Sequence, residues 1–536
     1  MTTARRTDLR SEPKRDLAGL LQTARAAHAT GAFAEAERLY KGVLAHAPGD
    51  ADALHLLGFL YYQRGRLRDA LPLLSAAVQR NCGDADALWN LGLVLHGLGR
   101  PEEALARYAG ALALDPHNPD LVNVHAAALL DLGRPQEALA QTDRALAIKP
   151  NHIEALGNRG NALVKLNRPN EAIAVYDAAL RIIGDDTQLL TNRAHALRRL
   201  DRVGDAVADL QKAIALRPDF AEAHFEVAMA QLALGDFDGG WDAYERRWAT
   251  AAFAPHRRSF KSPLWTGEQS LQGKTVLLHA EQGFGDTIQF VRYVPMVASL
   301  GATVILEVQP ELTTLLSDTR GAARVIARGE KFPRFDLHCP LLSLPRAFKT
   351  RLATVPAEIP YVRASEARAQ SWARRLPTQG ALAGVAWAGR PSHHNDLNRS
   401  LPLAALAPVF GATGVRFVSL QRDLREGDAA ILADHSNVID CSAELHDFAD
   451  TAALISRLDV VITVDTAVAH LAGAMGKRLL LLMPYAADFR WLRGRSDSPW
   501  YPSATLLRQP RFGDWDGVVG LLIEELRKMT GETARS

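Results

Sequence analysis

Alanine returns every 34 residues through the first half of this chain, at Ala36, Ala70, Ala104, Ala138, Ala172 and Ala206, with Gly240 in the seventh slot. Other small residues keep the same phase. Gly31, Gly65, Gly99, Gly133 and Gly235 each precede that slot by five residues, and a second alanine follows at Ala77, Ala111, Ala145, Ala179 and Ala213. Proline closes many of the units, at Pro48, Pro116, Pro150 and Pro218. A fixed period of this length marks a stacked array, in which each unit buries its apolar face only against its neighbours. Small residues at fixed places let two antiparallel helices approach closely, and proline stops the second helix. Seven in-phase units therefore predict an α-helical solenoid over residues 17–248, with a concave groove lined by the first helix of each pair.

The period and the motif resemble the tetratricopeptide repeat. Four positions depart from it: Cys82 and Gly184 replace the closing proline, and Asn167 and Asp201 replace the turn glycine. Asparagine and aspartate tolerate left-handed turns, so these changes are mild. Such repeats bind partners and do no chemistry themselves. Asn90, Asn158 and Asn192 share one slot of the groove, which also holds Leu56, Val124 and Glu226. An asparagine amide both donates and accepts, so a row of them can hold an extended peptide backbone. Two readings stay open for this slot: an acceptor-binding ladder, or the asparagine common at this place in ordinary repeats.

After Trp248 the period vanishes. A connector, residues 249–272, carries the basic cluster His256, Arg257, Arg258 and Lys261, readable as a solvated face or as a phosphate site. Apolar strand-like runs then alternate with helical stretches. They fall at 275–280 and 303–308, and again at 382–389, 415–421, 437–442, 459–465 and 478–483. Alternation of this kind implies right-handed βαβ units and parallel sheets. Two series predict two Rossmann-like lobes, at 273–376 and 381–530, facing a cleft. Ligands in such sheets sit at the carboxyl ends of the strands.

Polar clusters fall at those ends. In HAEQGFGDTIQF, Gly283 and Gly285 suit a tight turn, and Asp286 lands at a helix start, as a cap or as a reactive carboxylate. The full GxGxxG dinucleotide fingerprint is absent. In TVDTAVAHLAGAMG, Asp465 and Thr466 end a strand, and His470 falls four residues into the following helix. Hydroxyl, helix amides and imidazole then surround one spot, a cradle for phosphate, unless the histidine belongs to the core.

Together these segments resemble the paired motifs of heptosyltransferase-like glycosyltransferases, over about residues 273–525. The resemblance implies a GT-B fold and a nucleotide-sugar substrate held mainly by the second lobe, with no further cofactor. It makes Asp286 the candidate general base, and Asp465, Thr466 and His470 the donor-phosphate loop, beside Gly283 and Gly285. Arg399 and Ser400 occupy the region where relatives carry a basic phosphate contact; this chain has Arg-Ser-Leu-Pro where they carry lysine and an aromatic. Gln421 is a candidate nucleotide neighbour. Trp491 and Arg493 either pack on base or sugar or serve plain packing. Inversion at the sugar is implied, and no DxD stands at a strand end, so metal-free transfer is expected.

The order of parts also resembles bacterial repeat-containing glycosyltransferases, including those that modify flagellin, and nucleocytoplasmic protein O-glycosyltransferases. Seven repeats favour a protein acceptor modified on serine or threonine. The alternatives are a heptose-type transferase acting on glycans, or a scaffold whose GT-B half is degenerate. Removing residues 1–248 is expected to abolish protein glycosylation and spare donor binding.

Composition narrows the rest. Of 536 residues, 62 are basic and 60 acidic, a net formal charge of +2, too small for a general nucleic-acid binder. Three scattered cysteines, Cys82, Cys339 and Cys441, argue against a disulfide framework and suit the cytoplasm. The amino terminus is charged where a secretion signal would be apolar, and no apolar run is long enough to span a membrane.

Overall fold

The structure, a computed structural model, describes residues 17–393, 395–412 and 414–530. The charged amino-terminal segment lies outside the described residues. The chain divides into two compact units, one ending at Gly184 and the other beginning at Asp185.

The first unit holds five antiparallel helical pairs between Leu17 and Ile183. Local chemistry repeats with the period. The first helix of successive pairs is capped by Asp50, Asp84, Asn118 and His152, each accepting from a backbone N–H three residues on. Such a cap satisfies an N–H that the helix leaves unpaired. The second helices begin with an arginine paired to an acid three residues later, Arg66–Asp69, Arg100–Glu103, Arg134–Glu137 and Arg168–Glu171. At the turn slot Gly65, Gly99 and Gly133 have positive φ, and Asn167 adopts φ 58° in the place of glycine. Close approach explains another glycine: a Cβ on Gly92 would lie 2.4 Å from Tyr108 Cε1.

The second unit opens with two more pairs of the same period, from Thr187 to Tyr244. Asp186 caps the first, and Asp201 fills the turn slot at φ 58°. Two parallel sheets follow. The first runs in the order β3-β2-β1-β4, with β1 Thr275–His279, β2 Thr303–Val308, β3 Ala322–Ala327 and β4 Leu337–Pro340. The second consists of β5 Leu382–Ala386, β6 Arg416–Ser419, β7 Val438–Ile439, β8 Val460–Val464, β9 Leu479–Met483 and β10 Ala504–Arg508, in the order β10-β9-β8-β5-β6-β7. That order reverses between β5 and β8, which in a doubly wound sheet opens a crevice beyond the strand ends. The architecture is a tetratricopeptide-repeat solenoid followed by an α/β region of the GT-B kind.

The last repeat pair is built into the core beneath the sheets. Leu232, Phe237, Trp241 and Tyr244 are buried in one apolar cluster with β1, β2 and the 284–297 segment. Trp241 meets Phe290 and Phe489 edge-on at 6.4 and 5.7 Å. Arg247 is fully buried and binds Glu245 and Glu281. Removing residues 1–248 would therefore strip the two-sheet region of part of its own core. In the connector, Arg258 pairs with buried Glu307 of β2 and Phe260 lies 4.7 Å from His338, while His256, Arg257 and Lys261 are exposed. Among the described residues no helix is long and apolar enough to cross a membrane.

Candidate functional site

A cleft of about 1140 Å³ opens where the strands end. Its walls come from the segments after β1 (Gln282–Asp286), β2 (Gln309–Glu311), β5 (Ala388–Arg390), β6 (Leu420–Asp423), β8 (Asp465–Val468) and β9 (Ala486–Arg490). A third wall comes from the last repeats, including Arg199, Asp201, Phe225 and Met229.

Across the β5–β8 reversal, Arg399 donates from Nη1 to the carbonyl of Asp465 at 2.9 Å and has no carboxylate partner among the described residues. The Ala467–Ala474 helix begins beside it with Thr466 as N-cap, and no side chain caps that end. Unpaired amides, the helix dipole and a guanidinium thus converge on one point, which favours an anion.

Asp286 stands on the opposite lobe, its side chain 19% exposed and ion-paired with Arg490. The Gly283 amide donates to its Oδ2 at 2.7 Å, so the residue both caps its helix and faces the cleft. Burial raises its pKa, opposed by Arg490 and the Gly283 amide. The glycines act by proximity and not by turn geometry. Gly283 has φ −73°, and a Cβ on Gly285 would lie 2.6 Å from His470 Cδ2.

His470 lies deeper than the phosphate-cradle reading requires. It is 5% exposed, shares a 2.9 Å hydrogen bond between Nδ1 and the Tyr501 hydroxyl, and stacks on Trp491 at 5.3 Å. Its Nε2 is 3.9 Å from Asp465. Burial, helped by Arg490, lowers its pKa to about 3, so the ring is neutral. Asp465 is pushed the other way, to about 6, by burial and then by the nearby Asp488 charge.

Several sequence expectations change with the geometry. Trp491 is wholly buried against His470 and Tyr501 and offers no face to a base or sugar. Arg493 lines the cleft, but its guanidinium grips the Asp201 carboxylate at 2.5 and 2.8 Å. The repeat whose turn glycine became aspartate is thus tied to the second lobe. Ser400 is buried, its hydroxyl bonded to Asp396 at 2.7 Å and to the Gly389 amide at 2.9 Å, so it shapes the loop. Gln421 accepts the Trp387 and Ala388 amides and borders the cleft.

In the groove slot, Asn158 Nδ2 donates to Asn123 Oδ1 and Asn90 Nδ2 meets His55 Nε2, both at 2.8 Å; Asn192 Oδ1 accepts from Gln188 at 2.9 Å. The Asn90 and Asn158 contacts bond one repeat to the next. Residues that sequence reasoning missed are Arg490, Asp488 and the repeat-borne wall. Arginine and aspartate after a strand were visible signals, while a wall assembled from distant helices left none.

Comparison with known proteins fits this arrangement. Residues 407–511 match the model for glycosyltransferase family 9 (heptosyltransferase). Residues 55–119 and 191–255, and 95–144 and 129–195, match tetratricopeptide repeat models. Protein FlbA of Caulobacter vibrioides is 28% identical over 337 residues, which cover 58% of this chain and 55% of FlbA, so the chain spans about half the length of that curated relative. Among solved structures, a tetratricopeptide repeat protein from Parabacteroides merdae is 17% identical, with TM-score 0.39 over 44% of this chain and 93% of its own. YrrB, a TPR protein with an unusual peptide-binding site, is 23% identical, with TM-score 0.30 over 34% of this chain and 95% of its own. The chain joins tetratricopeptide repeats to a glycosyltransferase family 9 domain.

Proposed function

We propose that the chain transfers a sugar from a nucleotide sugar to serine or threonine hydroxyls of a protein, with inversion. The single observation that carries this is the uncapped helix start at Thr466–Ala467 beside Arg399, across the cleft from Asp286. The acceptor oxygen bonds to the anomeric carbon and gives its proton to Asp286. The bond from that carbon to the phosphate oxygen breaks, and its electron pair leaves with the nucleotide. Arg399 and the helix amides stabilise the charge gathering on that phosphate, the kind of preorganised stabilisation that dominates many active sites. A positioned base adds roughly 10²- to 10⁴-fold.

The protein acceptor rests on the repeats. Arg199, Phe225 and Met229 belong to the last two repeats yet border the cleft, so a polypeptide held by those repeats has a short path to the donor. Capture raises its effective concentration. Flagellin is the named candidate by the resemblance to repeat-containing transferases. A second reading, transfer to a heptose-type glycan, is favoured by the family 9 match alone.

The donor half is tested by calorimetry of the full chain with UDP-, GDP-, ADP- and CMP-sugars, followed by turnover of Asp286→Asn. One donor should bind with micromolar affinity, and the variant should keep that affinity or improve on it while losing at least 100-fold in transfer. Failure of every donor to bind would refute the reading.

A further inference from the structure

The transfer scheme gives Arg490 no part, yet its guanidinium ties together two carboxylates of the cleft. The residue is 7% exposed. One guanidinium nitrogen binds Asp286 of the first lobe and the other binds Asp488 Oδ1 of the second at 2.7 Å, while Nε has no partner. All three residues border the cleft, as does Asp465. Three carboxylates therefore crowd the place where donor phosphate is to sit. Phosphate and carboxylate compete for the same planar fork of a guanidinium, and a phosphate brings more charge and more acceptor oxygens.

We propose that Arg490 is an exchange clasp, which holds Asp286 until the donor's phosphates draw the guanidinium away and leave that carboxylate free to accept the acceptor's proton. The proposal rests on the donor-site reading above and adds an order of events to it. A carboxylate paired with arginine is a weak proton acceptor, because the charge favours its ionised form. Once Arg490 has turned to phosphate, Asp286 keeps its buried surroundings and the Gly283 amide but loses its nearest cation. The base is thereby armed only when a donor is in place.

A double-mutant cycle on the full chain tests this, read by calorimetry with UDP, GDP, ADP and CMP as probes. Asp286→Asn frees Arg490 and should tighten binding of the preferred nucleotide about tenfold. Arg490→Gln should weaken it about tenfold. In the Arg490→Gln background the gain from Asp286→Asn should fall below twofold. An equal gain in both backgrounds would mean plain relief of repulsion, and no gain in either would mean a fixed structural pair; both overturn the clasp. If circular dichroism shows Arg490→Gln unfolded, Arg490→Lys takes its place, since a compact ammonium lacks the planar fork for which carboxylate and phosphate compete, and the same loss of coupling is expected. If no probe binds the unaltered chain, the donor-site reading falls; binding without coupling removes the clasp alone.

Discussion

Asp465 and His470 lie within a few ångströms of each other, and the same burial shifts them in opposite senses. Burial disfavours charge, so the carboxyl is pushed up to about 6 and the imidazole down to about 3. Asp465 is neutral below pH 6 and repels phosphate above it. Nucleotide affinity should therefore fall as pH rises from 5 to 8, and in Asp465→Asn calorimetry should show a flatter profile. The same shift makes the carboxyl's contribution to folding greatest below its ordinary 3.8 and lost as pH rises through about 6. His470→Ala tests the other group. Because the ring fills a space between Trp491 and Tyr501 and satisfies the Tyr501 hydroxyl, its loss should cost about 2–4 kcal/mol in urea unfolding. Unchanged stability would return His470 to the phosphate cradle. The sequence placed Asp465 at a strand end and His470 in the helix that follows but could not show which would be exposed, since that depends on Gly285 pressing in from another lobe.

Helices and strands were legible in proportion to how far their signal is local. The repeat pairs show in full because small residues, caps and turns all recur at 34, and even the exceptions Asn167 and Asp201 keep the left-handed turn. The central strands show as unbroken apolar runs. Three strands escaped: β3 carries Arg324 and buries only Ile326 fully, β4 is four residues ending at Pro340, and β10 lies at the sheet's edge. None of the three carries an unbroken apolar run of five residues, which removes the signal. Pairing within a repeat offers a clean test. Gly92→Ala pushes a methyl into the Tyr108 ring and should lower stability by about 1–3 kcal/mol in chemical unfolding. Gly110→Ala, whose Cβ would meet only ordinary contacts at 3.6 Å, should cost less than a third as much.

At the scale of the whole chain, the array and the transferase share material. The period runs to Trp248, but the unit that contains both sheets begins at Asp185, and Trp241 and Arg247 are buried within it. No periodicity could reveal that, because burial by a distant sheet leaves the repeat pattern intact. A chain starting at Asp185 should fold and bind nucleotide within about twofold of the full chain, whereas one starting at Ala249 should show no cooperative unfolding transition by circular dichroism. Protein glycosylation by this chain is tested most directly by the intact mass of flagellin co-expressed with the full chain or with Asp286→Asn. Added mass equal to whole sugar residues on serine or threonine is expected with the unaltered chain, and none with Asp286→Asn. Flagellin left unmodified by the unaltered chain, or modified equally by the variant, would contradict it.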